Sequence, residues 1–161
     1  MKKIVAFKKG ELVELYNKLC RVTEKFNKNF TYAIAATKKA ISAEAEALIE
    51  GMAPSDSYLE YEKARAEIIN KYALKDESGN LITKKGGIKI SPENVEECQK
   101  AIEENEKVYT TVLEERERDY INFDKTLEEI ISIEVETIAW EFVPETIDQS
   151  FMEVLLKIIE R

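Results

Sequence analysis

From Val95 to Ile130 the chain carries one apolar seam: Val95, Cys98, Ile102, Asn105, Tyr109, Val112, Arg116, Tyr120, Phe123, Leu127 and Ile130. Most steps alternate three and four, the heptad-like period of a helix that buries one stripe, so a long helix constrains everything packed around it. Ser91-Pro92-Glu93 supplies its start, with a capping Ser, a Pro in the first turn and acids near the positive end of the dipole. Asn105 and Arg116 interrupt the seam, either as residues that fix register or partner number or as plain solvent-edge positions. Only five Gly and three Pro in 161 residues favour long helices elsewhere as well.

Lys3–Lys8 is short and rich in strand formers, and it predicts a small edge strand ending at Gly10. A helical stripe follows from Glu11 through Leu12, Leu15, Tyr16, Leu19, Val22, Phe26, Phe30, Ile34, Ile41, Leu48 and Met52. It is either one helix over 11–50 or two with a break near Asn27–Thr31, where Asn29 could cap the second. Gly51 to Ser57 is the clearest boundary, with Ser55 or Asp56 capping a helix over 57–74. Asp76–Asn80 is a turn cluster. Leu81-Ile82-Thr83 and Ile88-Lys89-Ile90, joined by Lys84-Lys85-Gly86-Gly87, predict a β-hairpin too small to stand alone. Ile131, Ile133 and Val135 alternate in strand fashion, and Ile138, Trp140 and Phe142 continue in the opposite parity, which places a kink at Glu136–Thr137. Asp148 caps a last helix over 149–160.

The expected fold is therefore mainly α: a long antiparallel helical hairpin or bundle with a small β-hairpin and a short additional strand. A single helical domain spans 1–161. It comprises a basic strand and helix region over 1–51, a helical hairpin over 55–131 with its β-hairpin tip at 81–90, and a strand plus C-terminal helix over 131–161.

The chemistry is bounded by the absence of histidine. Without imidazole there is no His general base, no Ser-His or Cys-His nucleophile and no His metal ligand. Cys20 and Cys98 match no zinc or redox spacing and fit apolar helical positions, so both are expected as buried free thiols. No calcium loop, no phosphate-binding Gly-x4-Gly-Lys-Ser/Thr motif and no acid two positions before a lysine, the mark of one nuclease class, is present. The reading is a protein that is not an enzyme, with no metal and no cofactor. The only apolar run near the N-terminus is Ile4–Phe7, too short for a signal-peptide core, and no stretch approaches a membrane span. A soluble intracellular protein is expected.

Charge is unevenly placed. Residues 1–40 hold ten Lys/Arg against three Glu, while 41–161 hold fourteen against twenty-nine acids. The basic arm includes Lys2, Lys3, Lys8, Lys9, Lys38 and Lys39, and it is expected to meet the acidic helix within one chain or between two. Nucleic acid is disfavoured by the overall pI of about 4.9. Glu103, Glu104, Glu106, Glu114, Glu115 and Glu117 form an acidic helical surface that can engage a protein partner. Tyr58, Tyr61 and Tyr72 are further candidate contacts, although helical spacing alone also explains them as core.

The stretch Glu60-Tyr61-Glu62-Lys63, then Ile68-Ile69-Asn70-Lys71-Tyr72-Ala73-Leu74-Lys75-Asp76-Glu77-Ser78-Gly79-Asn80-Leu81-Ile82, resembles a group of short phage- and prophage-encoded helical proteins of uncharacterised function. The resemblance is one of pattern over about residues 60–160. It implies a small phage accessory protein in the bacterial cytoplasm or associated with the virion, and it carries over no site residues. The expected function is to bind and modulate a host or defence protein through the acidic surface, as a homo-oligomer. A particle assembly factor and a binder of a nucleotide signal are the alternatives.

Overall fold

Strand formers flanked by lysines give β1 (Lys2–Lys8), and β1 runs directly into α1 (Lys9–Arg21) in a computed structural model that describes residues 1–160. The fold is mainly α, 62% helical, with six α-helices among the described residues. After α1 come α2 (Lys28–Gly51), α3 (Asp56–Tyr72), the short strands β2 (Thr83–Lys84) and β3 (Gly87–Ile88), α4 (Val95–Val108) and α5 (Thr110–Glu128). The chain closes with β4 (Ile130–Glu136), β5 (Ile138–Ala139), α6 (Gln149–Leu155) and β6 (Ile159–Glu160). Two compact units result, one from Met1–Ala53 with the chain from Ile121 onward, the other from Pro54–Tyr120. They are called the split unit and the hairpin unit below.

In the split unit β1 pairs antiparallel with β4, Val5 opposite Ile133 and Phe7 opposite Ile131. Alternation sends Val5, Phe7 and Val135 inward, where they meet Leu12, Leu15 and Leu19 of α1, Phe30, Ile34 and Ile41 of α2, and Phe151 and Leu155 around α6. Five ion pairs ring this core: the N-terminal ammonium with Glu136, Lys2 with Glu134, Lys8 with Glu128, Lys9 with Glu129, and Lys157 with Glu11. The break between α1 and α2 falls at residues 22–27, and Asn27, not Asn29, caps α2 by accepting from the Phe30 N–H. The strand kink sits at Thr137, whose N–H and hydroxyl both donate to the Met1 carbonyl. The last helix is shorter than 149–160. It stops at Leu155 because the chain then turns to pair Ile159–Glu160 in parallel with β5.

In the hairpin unit α3 and α4 pack together, and the β2–β3 turn closes the tip. Ser55 caps α3 by accepting from the Tyr58 N–H. The turn centres on Lys85 (φ 50°) and Gly86 (φ 79°), not on the two glycines, because a two-residue hairpin loop needs both central residues in the left-handed region. The tip leans on the segment after α3 through bridges Ala73–Ile90 and Lys75–Leu81. Ser91 precedes a 3-10 turn over Pro92–Asn94, and its hydroxyl donates to Glu93 instead of capping the helix. The expected continuous helix is interrupted at Tyr109 (φ −103°, ψ 19°). The Thr110 hydroxyl bonds back to the Glu106 and Lys107 carbonyls, a local competitor that loosens the helical ladder within a β-branched run. Bonds from the Tyr109 N–H to Asn105 and from the Leu113 N–H to Tyr109 carry the helical path across the break.

Candidate functional site

The hairpin unit separates its charges along the sequence. Residues 54–94 hold seven acidic and seven basic side chains, whereas 95–120 hold nine acidic against four basic. The whole negative excess of the unit thus lies on α4 and the first half of α5. Helical period then selects which glutamates share a face: Glu103, Glu106, Glu114 and Glu117 line one shallow groove of about 490 Å³ with Lys107, Thr110 and Leu113. Leu113, half-buried, gives the groove an apolar floor. Glu103 accepts from Gln99 Nε2 at 3.2 Å. Glu104 and Glu115 are exposed but do not line the groove, so four of the six sequence candidates come together and two do not.

The tyrosines divide similarly. Tyr61 is buried and touches Tyr58 and Tyr109, with ring centroids 5.7 and 5.6 Å away. Burial pushes the Tyr61 phenol above its ordinary pKa, with the Glu106 carboxylate adding to the shift, and burial does the same for Tyr58. Arg116 lies over Tyr58 at 5.3 Å and over Tyr120 at 4.3 Å, and its Nη2 donates to the Tyr120 hydroxyl at 3.1 Å. Tyr72 lies at the other end of α3, its ring 5.0 Å from its neighbour Lys71 Nζ. Tyr58 and Tyr61 therefore belong to one cluster with Arg116, and Tyr72 does not.

The basic arm is largely used internally. Lys2, Lys8 and Lys9 are held above their ordinary pKa, chiefly by hydrogen bonds to Glu134, Glu128 and Glu129. Lys8 and Lys9 thus meet the end of the acidic stretch, and Lys2 meets β4. Lys3 lines a depression with Trp140, Leu156, Ile159 and Glu160. Lys38 is half-buried and Lys39 exposed on α2. Cys98 is buried, whereas Cys20 is exposed near the end of α1, contrary to its expected burial: the stripe of α1 that faces the core is Leu12, Leu15 and Leu19, and Cys20 falls one residue past it.

Sequence reading passed over a pocket in the split unit. Lys18, Arg21, Val22, Phe26, Ile147 and Phe151 are among the residues lining about 240 Å³ there. The Lys18 ammonium donates to the Ser150 hydroxyl at 2.7 Å, and Asp148, held below its ordinary pKa by the Ser150 hydroxyl and then the Phe151 N–H, closes one side. Its signal was two cations one helical turn apart on α1, followed by an aromatic residue in the break.

Among the described residues no group of three acidic or cysteine side chains is placed to hold a metal ion, and no helix is long and apolar enough to cross a membrane. No known family model matches the chain, and neither curated proteins nor solved structures give a match.

Proposed function

We propose that this is a non-enzymatic binding protein whose α4–α5 groove receives a basic segment of a protein partner. The observation that carries the reading is the groove itself, an apolar floor at Leu113 between Glu103, Glu106, Glu114 and Glu117. Such a site attracts a cationic segment at long range and offers a small apolar contact on arrival. The resemblance to phage and prophage proteins supplies the context: an accessory protein that modulates a host or defence protein by occupying a basic surface. Tagged full-length protein and its Glu106→Lys/Glu117→Lys variant, expressed in a bacterial host, test this. The wild type is expected to retain a stoichiometric basic protein that the double variant loses, while Glu104→Lys, outside the groove, retains it. Equal retention by the double variant would overturn the reading.

A second reading, small-ligand binding, is favoured by the pocket of the split unit. There Phe26 and Phe151 offer apolar walls and Lys18 and Arg21 offer cations to an anionic group. Thermal stabilisation by nucleotides that Arg21→Ala abolishes would support it, and no stabilisation would remove it.

A further inference from the structure

The hairpin unit buries little for its length. Across Pro54–Tyr120 only Tyr61 and Cys98 are fully buried, and the other seam residues, among them Ile68, Ile102, Tyr109 and Val112, are half-buried. Small units of this kind are usually completed by something outside them. One edge of that seam, Asn105 and Val112, continues outward onto Ala101 and Val108, so the four form a stripe along α4 and α5. Its steps of four, three and four are the spacing by which one helix meets another. Val108 is 79% exposed on this stripe. On α3, Ala64 and Lys71 lie about 60–80° from Tyr61 at 100° per residue, the same sense and size of offset that separates Ala101 and Val108 from Cys98. In an antiparallel pair equal offsets fall on one flank, so these residues share a face.

Charge selects what covers that face. Residues 71–89 carry five lysines against Asp76 and Glu77, while 103–119 carry seven acids against Lys107, Arg116 and Arg118. Two copies laid parallel would set acid on acid. Laid antiparallel about a two-fold axis near Glu106, each basic tip meets the acidic end of the other copy. That register sets Asn105 against Val108 and Ala101 against Val112 of the second copy, and brings Lys71 beside its Glu115 and Asp119. The contact is isologous, as two-fold interfaces must be. We propose that the Ala101–Asn105–Val108–Val112 stripe is the self-association face of this protein, joining two copies antiparallel. Val108 and Thr110 point about 160° apart on the helix, so both acidic grooves remain open in the dimer.

Sedimentation velocity on the full chain at micromolar concentrations tests the proposal. The expected mass is twice the 18.5 kDa of one chain. Val108→Glu is expected to halve it with unchanged circular dichroism, since an exposed side chain is not needed for folding. Lys71→Glu alone, and Glu115→Lys/Asp119→Lys alone, are expected to weaken the dimer on the order of tenfold, each acting twice across the axis. Mixing the two variants is expected to yield a heterodimer tighter than either homodimer. A monomeric wild type, a Val108→Glu protein of unchanged mass, or a mixture no tighter than its components would each overturn it. Partner retention by monomeric Val108→Glu is read separately, so failure of this proposal and failure of the groove reading are distinguishable.

Discussion

Thr37 is fully buried on α2, and its hydroxyl donates to the Glu136 carbonyl at 3.0 Å. The register explains why that carbonyl needs it. The Thr137 N–H bonds to Met1 and the Lys9 N–H to Glu129, so the odd-numbered residues of β1 occupy the hydrogen-bonded pairs. Glu136, opposite Lys2, turns its peptide groups away from β1, towards α2. Thr37→Val keeps the shape but removes the donor, and stranding a carbonyl in a partly buried place costs about 1–3 kcal/mol. Thr37→Ser keeps the donor and deletes one buried methyl, a loss of about 1 kcal/mol. Stability is expected to fall from wild type to Ser to Val. Urea unfolding followed by Trp140, the sole tryptophan and a residue of the split unit, reports that unit directly. A loss of about 2 kcal/mol, at an m-value of about 2 kcal/mol per molar, lowers the midpoint by about 1 M. If the Val variant unfolds at the wild-type midpoint, or later than Ser, the hydroxyl does not hold α2 to β4 and the argument fails.

Asp148→Ala removes the side chain that accepts from the Phe151 N–H at the start of α6, and it is expected to cost about 1 kcal/mol by the same urea assay, with Asp148→Ser recovering most of it. The pH profile of thermal stability should be a plateau. Glu11 is held below the carboxylate range by Lys157, and Asp148 by Ser150, so both contribute above their ordinary values and lose that contribution as the pH falls through the lowered ones. Lys2, Lys8, Lys9, Tyr58 and Tyr61 are held above their ordinary values, so their contribution is full below those values and is lost as the pH rises through the raised ones. Melting temperature is expected to hold between about pH 5 and 9 and to fall on both sides, and a step near pH 6.5, where imidazole would titrate, would contradict the assignment.

Local signals were legible in the sequence and distant ones were not. Ser55, one of two candidates for its helix, and Asp148 declare helix starts because a short acceptor precedes an amphipathic run, and both cap. The parity change at Glu136–Thr137 likewise announced the kink, although the strand beyond it stops at Ala139 and Trp140–Phe142 forms a 3-10 turn instead of continuing it. Nothing in Lys2–Lys8 names Ile130–Glu136 as its partner, because a backbone ladder forms with any extended segment and only the assembled core selects one. The break at Tyr109 was hidden by an apolar period that continues through it, while the cause, the Thr110 hydroxyl bonding backwards, is a rotamer choice. In the groove the glutamates were visible as a charged run, yet only the helical face separates Glu103, Glu106, Glu114 and Glu117 from Glu104 and Glu115. The residues that floor the groove, Thr110 and Leu113, carry no charge and gave no signal.

The pairing of β1 with β4 has a consequence during synthesis. About 120 residues separate the two strands, so at roughly 5–20 residues per second β1 waits on the order of 6–24 s for its partner. Through that interval Ile4-Val5-Ala6-Phe7 is an unpaired, β-prone segment, the sort that nascent chains trade for aggregation. The hairpin unit, whose internal contacts lie between residues 54 and 120, is complete first and spans most of the loop that must then close. Lys2, Lys3, Lys8 and Lys9 bracket the waiting segment. Before Lys2, Lys8 and Lys9 find their glutamates, the four act as gatekeepers whose mutual repulsion keeps one nascent β1 from adding to another.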